Sequence, residues 1–143
     1  MNDSTFHFVV IDDDNVSNAV CTSVIKATTG GLNPVCFTNP VEGLHYMEHA
    51  FLAEAGNTPT ILFLDLSMPE MNGWDWLFKF EQLPHSIKQH VSVYILTSSI
   101  SSKDAERAQS NVYVKGYILK PLNKSRVLGA LEALHVNVLK EAS

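Results

Sequence analysis

The sequence predicts an α/β domain built on a mostly parallel five-stranded sheet with helices on both faces. Five short apolar runs alternate strictly with five segments of helical periodicity, the order that right-handed strand–helix–strand crossovers produce. The central run, Ile61-Leu62-Phe63-Leu64, is continuously apolar and is stopped by a loop containing Pro69 and Gly73, as expected of a strand buried on both sides. Pro34 opens the second run and suits an edge position, which favours the strand order 2-1-3-4-5.

Taken in order, Phe6 to Ile11 is the first strand and runs into the acidic turn Asp12-Asp13-Asp14-Asn15. Helical spacing follows at Val16, Ala19, Val20, Ser23, Val24 and Ala27, the expected core stripe of the first helix, with Gly30-Gly31 as its stop. Val35-Cys36-Phe37 is a second, short strand. Asn39-Pro40-Val41-Glu42 then supplies an N-cap, a first-turn proline and an acidic third position for a helix running to about Ala55, broken at Asn57-Thr58-Pro59. After the central strand, Trp74 to Leu83 reads as an aromatic helix carrying Trp74, Trp76, Phe78 and Phe80, too many rings for one buried face. Val91 to Leu96 is the fourth strand. Ser101 and Asp104 resemble a capping box for a weakly apolar helix with Ala105, Ala108 and Val112. Gly116 to Leu119 is the fifth strand, and Asn123 caps a last helix with the stripe Val127, Leu131, Leu134 and Val138.

Length and composition bound the function. The chain of 143 residues fits one domain, residues 1–143, without room for a second effector unit. With 45% apolar and 17% charged residues it is an ordinary globular sequence. A net charge of -5 without any cluster of Lys or Arg argues against nucleic acid as partner. Cys21 and Cys36 lack metal-ligand spacing and read as free, buried thiols of a reducing compartment. Met1 to Thr5 carries no export signal and no stretch is long and apolar enough to cross a membrane, so the expected location is cytoplasmic.

The polar residues that end the strands carry the chemistry. The first strand delivers Asp12, Asp13 and Asp14, the third Asp65, the fourth Thr97 and Ser98, and the fifth Lys120. In an open parallel sheet the strand ends share one crevice, where ligands collect. Carboxylates about 4 Å apart repel by about 4 kcal/mol at an effective dielectric of about 20, so this cluster needs a cation or a proton. Hard oxygen ligands suit Mg2+. Carboxylate, Mg2+, hydroxyl and ammonium together are what phosphoryl transfer needs, with Asp65 as the nucleophile that forms an aspartyl phosphate.

The segments VVIDDDN, LFLDLSMPEMNGWDWL, YILTSS and GYILKP resemble those of a response-regulator receiver domain of two-component signalling, over Phe6 to about Leu139. The resemblance implies a flavodoxin-like doubly wound fold. It implies that Asp65 accepts a phosphoryl group from a histidine kinase or a histidine phosphotransfer protein. Asp12, Asp13, Asp65 and the main-chain carbonyl of Ser67 would hold Mg2+, with Asp13 a direct ligand. Thr97 would bond the phosphoryl group and Lys120 would pair with it. Tyr117 matches the aromatic switch position that answers Thr97. Such a protein is not an enzyme acting on another substrate; it catalyses its own phosphorylation and dephosphorylation, and either hands the phosphoryl group on to a histidine-containing partner or switches a surface that binds a downstream protein. The Asp13 to Asp65 spacing is longer than usual, and Ser67 and Ser99 occupy positions that tune phosphoryl lifetime in the family.

Simpler and rival readings are weaker. His45 and His49 lie four apart on a helix but find no third ligand, and the six histidines form no nucleophilic triad. Trp74 and Trp76 read as partial packing against the sheet, and Asp14 as a helix cap. A haloacid-dehalogenase-like phosphatase could place its nucleophile among Asp12-Asp13-Asp14. It would leave Asp65 idle and lacks an acidic metal motif after Lys120, where only Glu132 and Glu141 follow. A phosphorylation-independent binding module would be expected to have lost an acidic residue or the lysine.

Overall fold

The computed structural model describes residues 6–50, 58–99 and 101–142. The apolar runs form β1 (His7–Ile11), β2 (Val35–Phe37), β3 (Thr60–Asp65), β4 (Val91–Thr97) and β5 (Val114–Leu119). They make one sheet in the order β2-β1-β3-β4-β5, parallel throughout, with Pro34 leading into the β2 edge as its missing N–H requires. Ile11 pairs with Leu64, Asp65 with Leu96 and Thr97 with Leu119, so the C-terminal ends of β1, β3, β4 and β5 form one rim.

Between the strands run α1 (Asn15–Thr29), α2 (Pro40–His45, continued by a π turn at Tyr46–Ala50), α3 (Gly73–Phe80), α4 (Ser102–Gln109) and α5 (Lys124–Ala142), with a single helical turn at His85–Lys88. Side-chain caps start them: Asp14 accepts from Val16 N–H, Asn39 from Val41 N–H, Asn72 from Asp75 N–H and Ser101 from Asp104 N–H. Asn123 does the same for Arg126 N–H in α5.

Alternation along the strands builds two cores. Val9, Ile11, Leu62, Leu64, Val93 and Ile95 pack with Met47, Trp76, Leu77 and Phe80 beneath α2 and α3. Phe8, Val10, Ile61, Phe63, Leu96 and Ile118 pack with Cys21, Ile25, Val127, Ala130 and Leu134 beneath α1 and α5. Gly43 allows α2 to lie close on β1, since a Cβ there would come within 2.6 Å of the Ile11 side chain.

Several sequence expectations shift. The buried face of α1 is Asn18, Cys21 and Ile25, whereas the stripe read from Val16, Ala19, Val20, Ser23 and Ala27 faces solvent, with Val16 71% exposed and Val24 half-buried. The helix is turned because a polar residue, Asn18, occupies its core side. The aromatic helix ends at Phe80 rather than Leu83, because the N–H groups of Gln82 and Leu83 bond three residues back, ahead of Pro84. Trp76 is fully buried, Trp74 only partly, and Phe78 is the exposed ring. Val112 lies beyond the end of α4 and is 73% exposed, leaving Ala108 as that helix's buried residue. β5 begins earlier than Gly116, at Val114, because the neighbouring Tyr113 carbonyl already accepts from Val93 N–H. On α5, Ala130 is buried and Leu131 only partly, and Cys36 is likewise half-buried. The α2 end near Ala55, Asn57, the Val138 side chain and the Met1 to Thr5 segment lie outside the described residues.

Candidate functional site

The same alternation that fills the cores distributes the polar residues at the rim. Following β1, β3 and β5 past their ends places Asp12, Asp65 and Lys120 on the α1/α5 face, while Thr97 and Tyr117 fall on the α2/α3 face. The site thus has a charged half and a hydroxyl half on either side of the strand ends.

In the charged half, Asp12 is fully buried and Asp65 is 4% exposed, while Asp13 is open to solvent. Carboxylate oxygens of the three lie within 4.8 Å of one another. The Lys120 ammonium reaches between them, 2.7 Å from Asp12 Oδ2 and 3.5 Å from Asp65 Oδ1. Asp12 Oδ2 has no aligned hydrogen bond, so the ammonium meets it as a charge. Asp12 Oδ1 accepts from Asp14 N–H at 3.0 Å, and Asp65 Oδ1 from Ser67 N–H at 3.3 Å. Gly73 lets the start of α3 close over Asp65: a Cβ there would lie 2.7 Å from the Asp65 carbonyl oxygen.

Electrostatics follow from this crowding. Burial, then the charge of Asp12, pushes the Asp65 carboxyl up to about 6 from its ordinary 3.8, although Lys120 and the Ser67 N–H pull the other way. Burial works against the Lys120 ammonium, but the charge of Asp12 at 2.7 Å, with that of Asp65 behind it, prevails and raises its pKa. The Cys21 thiol is pushed up to about 12 by burial and by Asp12, and so stays protonated.

In the hydroxyl half, Thr97 is 2% exposed and its Oγ1 donates to the Ser99 carbonyl at 3.4 Å. Tyr117 OH donates to the same carbonyl at 3.4 Å. Thr97 and Tyr117 therefore share one acceptor in the β4–α4 loop. The Thr97 carbonyl in turn accepts from Lys120 N–H at 2.7 Å, tying the two halves together through the main chain. Trp74 Nε1 donates to Asp104 Oδ1 at 3.0 Å, and the Arg107 guanidinium stands 4.5 Å over the same indole, so α3 holds the first turns of α4.

The model of the response regulator receiver domain matches residues 8–132. The chain belongs to the receiver domain family. Solved structures agree. A two-component response regulator from Cytophaga hutchinsonii is 29% identical over 94% of this chain and 97% of its own, with a TM-score of 0.78. A response regulator receiver protein from Dyadobacter fermentans is 18% identical over 91% and 98%, with a TM-score of 0.79. The CheX–CheY–BeF3–Mg2+ complex from Borrelia burgdorferi is 18% identical over 94% and 95%, with a TM-score of 0.72. Among curated proteins there is no match.

Receiver domains are phosphoacceptor signalling domains that work with a kinase or phosphotransfer partner and bind Mg2+ at an acidic pocket, and this chain has an acidic cluster of Asp12, Asp13 and Asp65. Sequence reasoning brought Asp12, Asp13, Asp14, Asp65, Thr97, Ser98 and Lys120 to one crevice; Asp12, Asp13, Asp65 and Lys120 do meet, whereas Thr97 stands across the strand ends from them. It missed Asn18, whose Nδ2 donates to the Asp12 carbonyl at 2.9 Å. It also missed the Trp74–Asp104–Arg107 contact. No helix among the described residues is long and apolar enough to cross a membrane. His45 and His49 have ring centroids 5.8 Å apart and join no metal-competent cluster among the described residues.

Proposed function

We propose that this receiver takes a phosphoryl group on Asp65 from a phosphohistidine of a kinase or phosphotransfer protein, and passes the signal to a protein partner. The observation that carries the reading is the Asp65 carboxylate, 4% exposed, held between two further aspartates and one lysine ammonium at the mouth of the sheet. An Asp65 oxygen attacks phosphorus as the phosphorus–nitrogen bond breaks. The imidazole leaves with the bonding pair and takes up a proton, and an acyl phosphate remains. Water attack on that phosphorus returns the carboxylate and releases inorganic phosphate, so the domain catalyses only its own loading and unloading.

The donor set suits a hard divalent cation: three carboxylates with oxygens within 4.8 Å and a buried Asp12 oxygen without an aligned hydrogen bond. Asp12, Asp13, Asp65 and the Ser67 carbonyl would hold Mg2+. When bound it supplies charge neutralisation for the phosphoryl oxygens. Lys120 adds a second positive charge, and Thr97 Oγ1 is the hydroxyl available to a phosphoryl oxygen once it leaves the Ser99 carbonyl. Tyr117, released from the same carbonyl, is the residue free to turn with it.

A groove beside the pocket, lined by Val16, Val20, Ser98, Lys120 and Leu122, supports a protein as phosphodonor. Val16 and Val20 are apolar and exposed and line the same groove as Lys120, a combination that suits a protein contact. The downstream partner would read the surface of α4, β5 and α5, in the cytoplasm.

Intact mass after incubation with acetyl phosphate and Mg2+ tests the reading. Wild type gains one phosphoryl group, base-labile and absent with chelator, and Asp65→Asn gains none. An adduct on Asp65→Asn, or no adduct on wild type together with no response to beryllofluoride, overturns it.

A further inference from the structure

Asn18 is a buried polar side chain with no role in the proposed chemistry. Asn18 enters the core side of α1 and is 7% exposed. Its Nδ2 donates to the main-chain carbonyl of Asp12 at 2.9 Å, while its Oδ1 is buried with no hydrogen-bond partner. The amide orientation is set by that contact, because the flipped amide would press oxygen against oxygen. An amide with its acceptor buried and unused is unfavourable, and an apolar side chain would remove that penalty while leaving the Asp12 carbonyl unpaired, so the two offset. Stability alone does not account for an asparagine here.

The bonds around Asp12 give the account. Its N–H donates to the Phe37 carbonyl at 3.0 Å, and its Oδ1 accepts from Asp14 N–H. Asn18 takes the Asp12 carbonyl, and its own N–H donates to the Asp14 carbonyl at 3.0 Å. One residue in the first turns of α1 therefore fastens the acidic turn at both Asp12 and Asp14, with Asp13 between them. The turn is under electrostatic load, because three carboxylates crowd together and repel. A turn free to rotate relieves that repulsion by swinging Asp13 away, and a cation must then gather its ligands against it.

We propose that Asn18 is a positioning residue for divalent-metal binding, holding Asp12 and Asp13 beside Asp65 before any cation arrives. The inference rests on the reading of the three aspartates as the Mg2+ site. Partners that orient metal ligands typically contribute about 10- to 100-fold in affinity. Asn18 holds the main chain rather than a carboxylate, which points to the lower end of that range.

The experiment is an Mg2+ titration of the unphosphorylated protein by calorimetry, alongside its metal-free urea midpoint and the 13C shift of the Asp12 carbonyl. It is run on wild type, Asn18→Leu and Ile25→Val. Asn18→Leu is expected to weaken Mg2+ binding about tenfold. Its metal-free midpoint stays near wild type, since losing the orphan acceptor offsets orphaning the Asp12 carbonyl, and the carbonyl shift moves. Ile25→Val, on the same buried face, lowers the midpoint and leaves the affinity alone. If Asn18→Leu does not fold, Asn18→Ser, one bond too short to reach the carbonyl, carries the same expectation. Affinity of the Asn18 variant within twofold of wild type, or an equal loss in Ile25→Val, overturns the proposal while leaving the metal site standing. Absence of Mg2+ binding by wild type overturns the metal site and the proposal with it.

Discussion

Replacing Asp65 by asparagine should make the metal-free protein more stable at neutral pH. The carboxyl titrates near 3.8 in an unfolded chain and near 6 in the folded one. Below about pH 4 it is protonated in both states and contributes no difference. Between about pH 4 and 6 the folded state keeps a proton that the unfolded state has lost, so rising pH erodes stability; above about 6 the whole penalty is present. A shift of about two units corresponds to about 3 kcal/mol, and with the residue only 4% exposed, solvent screening removes little of it. Asparagine copies the shape of the neutral acid, stays uncharged at every pH and can still accept from Ser67 N–H. For a chain of this length about 3 kcal/mol corresponds to a rise in Tm of about 10 °C. The assay is urea unfolding of wild type and Asp65→Asn in chelator at half-unit steps from pH 3.5 to 8. The gap should open between pH 4 and 6 and close again when Mg2+ is added at pH 7. A gap that does not change with pH, or a variant less stable than wild type at pH 7, would refute the claim that Asp65 is held against its own charge.

Two further outcomes follow from the loop between β4 and α4. A charge-assisted hydrogen bond from Thr97 is worth about 1.5–3 kcal/mol, whereas inverting a 1:99 equilibrium needs about 5.5, so Thr97→Ala should still be phosphorylated but respond less. Amide shifts around Tyr117 as large as in phosphorylated wild type would contradict this. Trp74→Phe removes the indole bond to Asp104 and weakens the Arg107 stacking, together about 1–2 kcal/mol holding α4 to α3. Hydrogen exchange across Ser102–Gln109 should then quicken about 5- to 30-fold with the α3 core unchanged. Equal exchange in the two proteins would remove the contact from the account.

The strand order, the caps and the meeting of four distant charges were legible because each has a local sign: a proline at an edge, Asn or Ser before a helix, a polar residue ending an apolar run. The orientation of α1 was not. Counting apolar residues selected Val16, Ala19 and Val20, but the helix buries Asn18 with Cys21 and Ile25, because the Asp12 carbonyl supplies a partner that composition cannot reveal. Which face of the sheet each rim residue takes was in fact available. Two-residue alternation from Phe8 or Val9 assigns Asp12 and Asp65 to one side and Thr97 to the other, but only once register is known, and register is a property of pairs of strands. The Trp74–Asp104–Arg107 contact joins residues thirty or more positions apart and had no local sign at all.

The position of Lys120 explains why a lysine alone does not complete such a pocket. Three carboxylates face one ammonium, so two negative charges are uncompensated, and the Asp65 carboxyl is pushed up to about 6. The ammonium has settled on Asp12, at 2.7 Å against 3.5 Å for Asp65, because the more deeply buried charge gains more from a partner. Phosphorylation places about -1.5 to -2 on Asp65 and would draw Lys120 toward it. Leaving Asp12 buried and unpaired is among the most destabilising changes a fold can suffer, at about 3–5 kcal/mol. The lysine can therefore turn to a phosphoryl group only if another cation holds Asp12. This makes the acidic cluster a condition for the lysine's role, and it is why a receiver loaded without a divalent metal should be both slow to form and poorly switched.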